Sequence, residues 1–355
     1  MNAPAGTPGS PSDGENSPSV RSEGHDGGPA GPGGRPTGGG TATATAPPPT
    51  TPPSPRALAR RRRQEALRRF TREYTRNRAG MVGLTALLAI GALALTAPLF
   101  VDQADLTVTG APGTAYQPPS ARFPLGTDNF GRSILDLVVW GSRVSLTVGF
   151  LATAVSVVLG TLVGVTAGHF GASGGPAGRF VSSALMRVTD WFLVLPTLVL
   201  AVALAAVLPR GTGTIIIAIG LTVWPATARL VRAQTLAVEA RPYVERARAL
   251  GGGHGHVMLW HVLPNVMPVV LAQTTLLVAT SIIAESTLAF LGVGDPTTIS
   301  WGGILDAARN AGAISSGIWW YMVPPGLAIA VVALSFTLCG RALESVINPR
   351  LREQR

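Results

Sequence analysis

Six apolar runs, near residues 79–101, 142–168, 187–208, 213–231, 266–291 and 319–341, decide most of what this chain can fold into. Each approaches the ~20 residues that a helix needs to cross about 30 Å of hydrocarbon. Lipid offers the backbone no hydrogen bonds, so such runs must satisfy their own and become helices. Only 13 % of the 355 residues are charged while 46 % are hydrophobic, and that charge is about half the usual share in soluble domains. Pro98, Pro196, Pro225, Pro268 and the pair Pro324-Pro325 fall in or beside the runs, where packed membrane helices tolerate them. No stretch outside the runs is large enough to fold as a soluble domain. The fold class predicted is an all-α polytopic membrane protein with six transmembrane helices.

Charge sets the orientation. All 28 basic residues are Arg, and the net charge is +10. Twelve Arg precede the first run, two lie between the second and third (Arg179, Arg187), five between Arg229 and Pro264, and four near the C-terminus. The alternate loops hold only Arg122, Arg132, Arg143, Arg210 and Arg309. The positive-inside rule then places both termini in the cytoplasm. With no Lys, the chain lacks the phosphate-binding Lys of a P-loop and the amine of a Schiff-base enzyme. Cys339, the sole cysteine, excludes an intramolecular disulfide and a cysteine metal cluster. The Arg residues gather at the ends of apolar runs and not on one soluble face with aromatics between them, so nucleic acid is not an expected partner.

Residues 1–55 are Gly, Pro, Ser, Thr and Ala with few large apolar side chains, a composition expected to remain disordered. The first apolar run begins too far in for a signal peptide. Residues 56–78 are polybasic, with Leu67, Phe70 and Tyr74 at helical spacing. This segment reads either as an amphipathic helix on anionic lipid or as a topogenic signal. The runs then divide the chain into a first span at 79–101, an extracytoplasmic loop at 102–141, a core at 142–345 and a cytoplasmic tail at 346–355.

Between the fourth and fifth runs lies a polar stretch too long for a turn. It reads Tyr243-Val244-Glu245-Arg246-Ala247-Arg248-Ala249-Leu250-Gly251 and, nine residues on, His261-Val262-Leu263-Pro264-Asn265. Residues 241–250 suit a short helix that Gly251-Gly252-Gly253 ends, because Gly takes the left-handed conformation of a C-cap. A second helix is predicted to start near His256 and to end at Pro264, since the residue before a proline is pushed from the helical region. Two short helices at a Gly turn make a stiff elbow. A Glu-x-Ala-x3-Gly pattern followed by Leu-Pro, in this setting, resembles the EAA loop of ABC-importer permeases. The resemblance, spanning 241–265, implies that Glu245, Ala247, Gly251, Leu263 and Pro264 belong to the cytoplasmic handle on which an ATPase subunit pulls. Arg246 stands where the family has Ala, and His261 where it has Ile.

A second constellation is Phe123-Pro124-Leu125-Gly126-Thr127-Asp128-Asn129-Phe130-Gly131-Arg132. Thr127 or Asp128 is expected to cap the helix that follows, and the two Gly to allow a tight turn. The string resembles the Pro-Leu-Gly-Thr-Asp…Gly-Arg segment of the C-type permease subunit of dipeptide, oligopeptide and nickel importers, with Ser133 in place of the usual Asp. Met186-Arg187-Val188-Thr189-Asp190, Glu285-Ser286-Thr287-Leu288-Ala289-Phe290-Leu291-Gly292, Ser300-Trp301-Gly302 and Asn348-Pro349-Arg350 extend the resemblance over about residues 75–352. It implies a six-span type I importer permease in a bacterial cytoplasmic membrane, without catalytic, cofactor or metal residues of its own. Its implied partners are a second homologous permease, two ABC ATPases carrying ATP and Mg, and an extracytoplasmic solute-binding protein. Di- and oligopeptides head the implied substrates, with nickel complexes and other small solutes as alternatives.

Glu285 is the one carboxylate within the apolar body of a run. Either it lines the substrate path and attracts an amino group, or neighbouring Ser and Thr hydroxyls satisfy it. Arg187 and Asp190, at i and i+3, read as a local pair. His254, His256 and His261 straddle a Gly turn and suit solvated or partner-facing roles better than a metal site. An autonomous secondary transporter predicts internal repeats, mid-membrane carboxylates and broken helices, and no repeat is visible. An intramembrane hydrolase needs a nucleophile and base at one depth, and the sequence places no His within the runs.

Overall fold

The computed structural model describes residues 64–65, 68 and 70–347. The 1–55 tail, Leu67 of the apolar stripe and residues 348–355 lie outside the described residues. Residues 70–76 are helical and stop at Asn77, whose side chain accepts a 3.1 Å bond from the Gly80 amide. That cap starts α1, Arg78–Phe100, so the basic segment and the first span are separate helices. The remaining helices are α2, Ile134–Ser173; α3, Pro176–Val194; α4, Thr197–Val207; α5, Thr212–Glu239; and α6, Pro242–Ala249. They are followed by α7, His254–Phe290; α8, Trp301–Asn310; and α9, Trp319–Ile347. Among the described residues the only strand-like pairing is an isolated bridge between Thr127 and Ser133.

Among the described residues, five helices are long and apolar enough to cross a membrane, or six if α3 and α4 together count as one span. Helix α2 has 40 residues, about 60 Å at the helical rise. It therefore outruns the hydrocarbon, and the expected run at 142–168 is only its middle. The loop expected at 102–141 ends accordingly at Ser133.

The third span departs from expectation. Residues 187–208 do not form one helix, because α3 and α4 meet at a 93° bend. Leu195 is extended (φ −77°, ψ 134°) ahead of Pro196, as the clash with the proline ring demands. Pro225, Pro268 and Pro324-Pro325 sit inside unbroken helices. The second elbow helix does not end at Pro264 either. It is the start of α7 and continues through a π-helical stretch, Val257–Val262, and past Pro264. That wider coil lies just where the Pro264 ring would otherwise meet a carbonyl one turn back.

Small residues bring α2 and α5 together. Gly160, Gly164 and Gly168 repeat every four residues on α2 and so share one face. A Cβ on Gly164 would sit 2.6 Å from the Ala228 carbonyl oxygen, and one on Gly168 2.6 Å from Thr235 Cβ. Without side chains here the two backbones approach closely, which is the usual basis of helix pairing in lipid.

Candidate functional site: the elbow between α5 and α7

Helix α6 is eight residues long and has two unlike faces. Val244 is fully buried among Val165 of α2, Val231 of α5 and Val257, Val262, Val266 and Val270 of α7. Arg248, one turn later, points to the same inward side. Tyr243, Arg246, Ala247 and Leu250, at i, i+3, i+4 and i+7, make the outward face. With Gly251–Gly253, His256 and His261 they line an open groove of ≈ 590 Å³. Leu250 is 88 % exposed, the apolar residue most available to a partner.

The end of α6 is fixed by backbone geometry. Gly251 has φ +88°, its amide bonds the Arg248 carbonyl (2.9 Å), and the Gly252 amide bonds the Ala247 carbonyl (3.0 Å). This is a Schellman motif, which places glycine at the left-handed position.

Behind the elbow lies a buried polar network that sequence reasoning missed. Glu239, the last residue of α5, has a side chain 1 % exposed. One of its oxygens meets His169 Nδ1 at 2.5 Å, and the other accepts a bond from the Arg248 guanidinium. His169 Nε2 lies 2.9 Å from His254 Nδ1. A carboxylate can only accept, so His169 donates through Nδ1, and in the neutral ring its Nε2 then accepts from His254. The four groups then form one satisfied set with a single charge pair. His169 lies one residue past the predicted second run, in the last turns of α2 and fully buried. His254, read as solvated or partner-facing, is exposed and also reaches His169 through Nδ1. Both nitrogens of His169 are engaged.

The remaining predicted residues scatter. Ala247 and Gly251 line the groove, whereas Glu245 is exposed in the first turn of α6, outside it. Leu263 packs against the valine cluster and Pro264 is exposed, neither one in the groove. Asp190 does not pair with Arg187. It takes Arg229 of α5 at 2.6 Å, across two half-exposed side chains.

At the other end of the spans, the 123–132 string builds a brace and not a cap. The helix cap is Ser133, whose side chain accepts from the Asp136 amide. Ser and Asp cap about equally well, so the Ser133 departure keeps the function. Asp128 is fully buried and accepts from the Phe130 and Arg132 amides and from Arg132 Nε (2.7 Å). Thr127 Oγ1 bonds the Thr114 carbonyl (2.7 Å), and Tyr321 of α9 donates to Asn129 (3.0 Å). Gly126, at φ +73°, leaves room for Gln117 and Trp320, which a Cβ would meet at 2.6 Å.

Beside this brace is a cavity of ≈ 310 Å³, lined by Glu285 together with Arg132, Arg210, Asp295, Asp306 and Tyr321. Glu285 is 1 % exposed, and Ser286 Oγ donates to its Oε2 at 3.1 Å. Ser145 and Ser300 lie beside the same carboxylate. No cation pairs with it among the described residues. Glu285 thus has a hydroxyl donor in Ser286 and also lines this cavity.

Comparison with known proteins agrees with this architecture. Residues 160–353 match the binding-protein-dependent transport system inner membrane component, and residues 63–119 match the N-terminal TM domain of oligopeptide transport permease C. The dipeptide transport system permease protein DppC of Alkalihalophilus pseudofirmus is 31 % identical over 79 % of this chain and 89 % of its own. The di/tripeptide transport system permease protein DppC of Pseudomonas aeruginosa is 34 % identical over 81 % and 93 %. A solved structure of the MetNI methionine ABC transporter in inward-facing conformations aligns with 59 % of this chain and 96 % of that one, at TM-score 0.48 and 19 % identity. With a family match over more than half its length and relatives aligned almost end to end, the chain belongs to the family of binding-protein-dependent transport system inner membrane components.

Proposed function

We propose that this chain is the C-type permease subunit of an ATP-driven peptide importer and that the elbow receives the ATPase. One observation carries the reading: α6 is held inward by Val244 and Arg248 while Tyr243, Arg246, Ala247 and Leu250 present an unpartnered, partly apolar face. A rigid element tied to the ends of several spans, with a free outward face, suits the transfer of rigid-body motion from a cytoplasmic partner. In this reading both termini and the elbow are cytoplasmic. A second homologous permease completes the path, two ABC ATPases bind and hydrolyse ATP with Mg, and a solute-binding protein delivers peptide from outside. This chain itself is not catalytic. Glu245, Ala247 and Gly251 serve the docking surface, and Leu263 and Pro264 its support from α7.

The cavity favours a role for Glu285 on the substrate path. A buried carboxylate with a serine hydroxyl donor and no cation paired to it among the described residues suits the ammonium group of a peptide. The break at Leu195-Pro196 is one feature that a secondary transporter also shows, but family membership and the elbow weigh for the importer. Purification of the tagged chain in mild detergent from its host, with mass spectrometry of what accompanies it, tests the proposal. A second permease and a Walker-motif ATPase are expected. A chain that is stable and alone would favour an autonomous transporter.

A further inference from the structure

We infer that Glu239 is the positioning residue that converts movement of the elbow into movement of the spans, with His169, Arg248 and His254 completing the link. The inference rests on the elbow receiving the ATPase. Helix α6 is joined to α7 through Gly251-Gly252-Gly253. The Schellman turn at Gly251 fixes how α6 ends, and side chains then tie α6 to the spans beside it. Two inward contacts exist. Val244 sits in a cluster of valines, and apolar packing of that kind is non-directional. The Glu239 network is directional: each donor has one acceptor, and each bond fixes a distance between two elements.

The network gathers four elements at one carboxylate. His169 belongs to α2, Glu239 to α5, Arg248 to α6 and His254 to the start of α7. Glu239 and His169 are almost wholly shielded, so water does not compete for the bonds between them. Displacement of α6 then draws the ends of α2, α5 and α7 with it as one body. None of the four side chains lines the outward groove. Their loss should therefore leave docking intact and act on transmission. That separates the link from the docking surface.

The test uses the complete importer, reconstituted in vesicles, and reads peptide transported per ATP hydrolysed. Glu239→Gln keeps the shape and the acceptor for His169 but cannot balance Arg248. The expected result is a fall of about tenfold in peptide per ATP in assembled complexes, while ATP turnover continues. Arg248→Gln should lose as much, and Glu239→Gln with Arg248→Gln no more than either alone, because the groups act as a unit. A structural role alone would lower the yield of complex and leave peptide per ATP unchanged in what assembles; that result would overturn the inference. If Glu239→Gln does not assemble, the charge-balanced double variant decides, and a normal ratio there would also overturn it. A wild-type chain that fails to retain an ATPase refutes the docking proposal instead, a separate and recognisable outcome.

Discussion

Gly251 is the position at which backbone geometry and transport meet most directly, and a graded substitution series there separates them. Its φ of +88° is left-handed, and a Cβ built on it meets nothing within 4 Å. Steric collision with neighbours is absent, so the whole cost of a side chain falls on the backbone. For an ordinary L-residue that cost is about 1–2 kcal/mol, and a β-branched residue should lie at or above the upper end. One or two kcal/mol shifts the balance between the closed Schellman turn and a frayed one by roughly 5–30-fold. Asn, which visits this region with less strain, should lose least, Ala more and Val most. Uptake of labelled peptide, normalised to the amount of chain in the membrane, gives the order. If Gly251→Val transports as the wild type does, or Gly251→Asn is as impaired as Gly251→Val, the elbow's geometry is not what transport depends on.

Other substitutions probe the rest of the structure. Asp128→Ala leaves Arg132 without its buried partner and should cost about 3–5 kcal/mol, seen as rapid proteolysis in 102–133 of a membrane-inserted chain. Gly164→Leu forces a side chain against Ala228 and Val231 of α5; overpacking of about 1–3 kcal/mol should lower the thermal midpoint in detergent. Glu285→Gln keeps an acceptor for the Ser286 hydroxyl but removes the charge. If Glu285 contacts cargo, uptake falls with membrane levels unchanged, and unaltered uptake would reduce it to a satisfied buried group.

What the sequence disclosed follows from where its signals are local. The apolar runs and the Gly turn after Leu250 depend on neighbouring residues, and each led to a definite element. The bend at Leu195 was less legible. Pro196 looks like Pro225 and Pro268 in sequence, yet only the chain at Pro196 leaves the helix. The Asp190–Arg229 pair was misread because a polar side chain's nearest partner in sequence was assumed to be its partner in space. The Asp128 brace was misread because its carboxylate closes its own turn on Phe130 and Arg132 and leaves the cap to Ser133. His169, Glu239, Arg248 and His254 come from four elements, and no spacing rule connects them. The spacing of Gly160, Gly164 and Gly168 was available as a signal of close packing between helices. The outward stripe 243, 246, 247 and 250 was available too, but its meaning required knowing which face Val244 buries.

The most direct test of the docking claim is site-directed crosslinking from Leu250→Cys in native membranes. Cys339 is buried at 7 % exposure, so the introduced thiol is the one a photoactivatable thiol reagent will label. The account predicts a crosslinked product containing this chain and an ATP-binding subunit, absent when the thiol is placed instead at Phe130, near the opposite ends of the spans. Labelling at Leu250→Cys that yields no ATPase adduct, or an equal yield from Phe130→Cys, would contradict the claim that the elbow is where ATP-driven motion enters this protein.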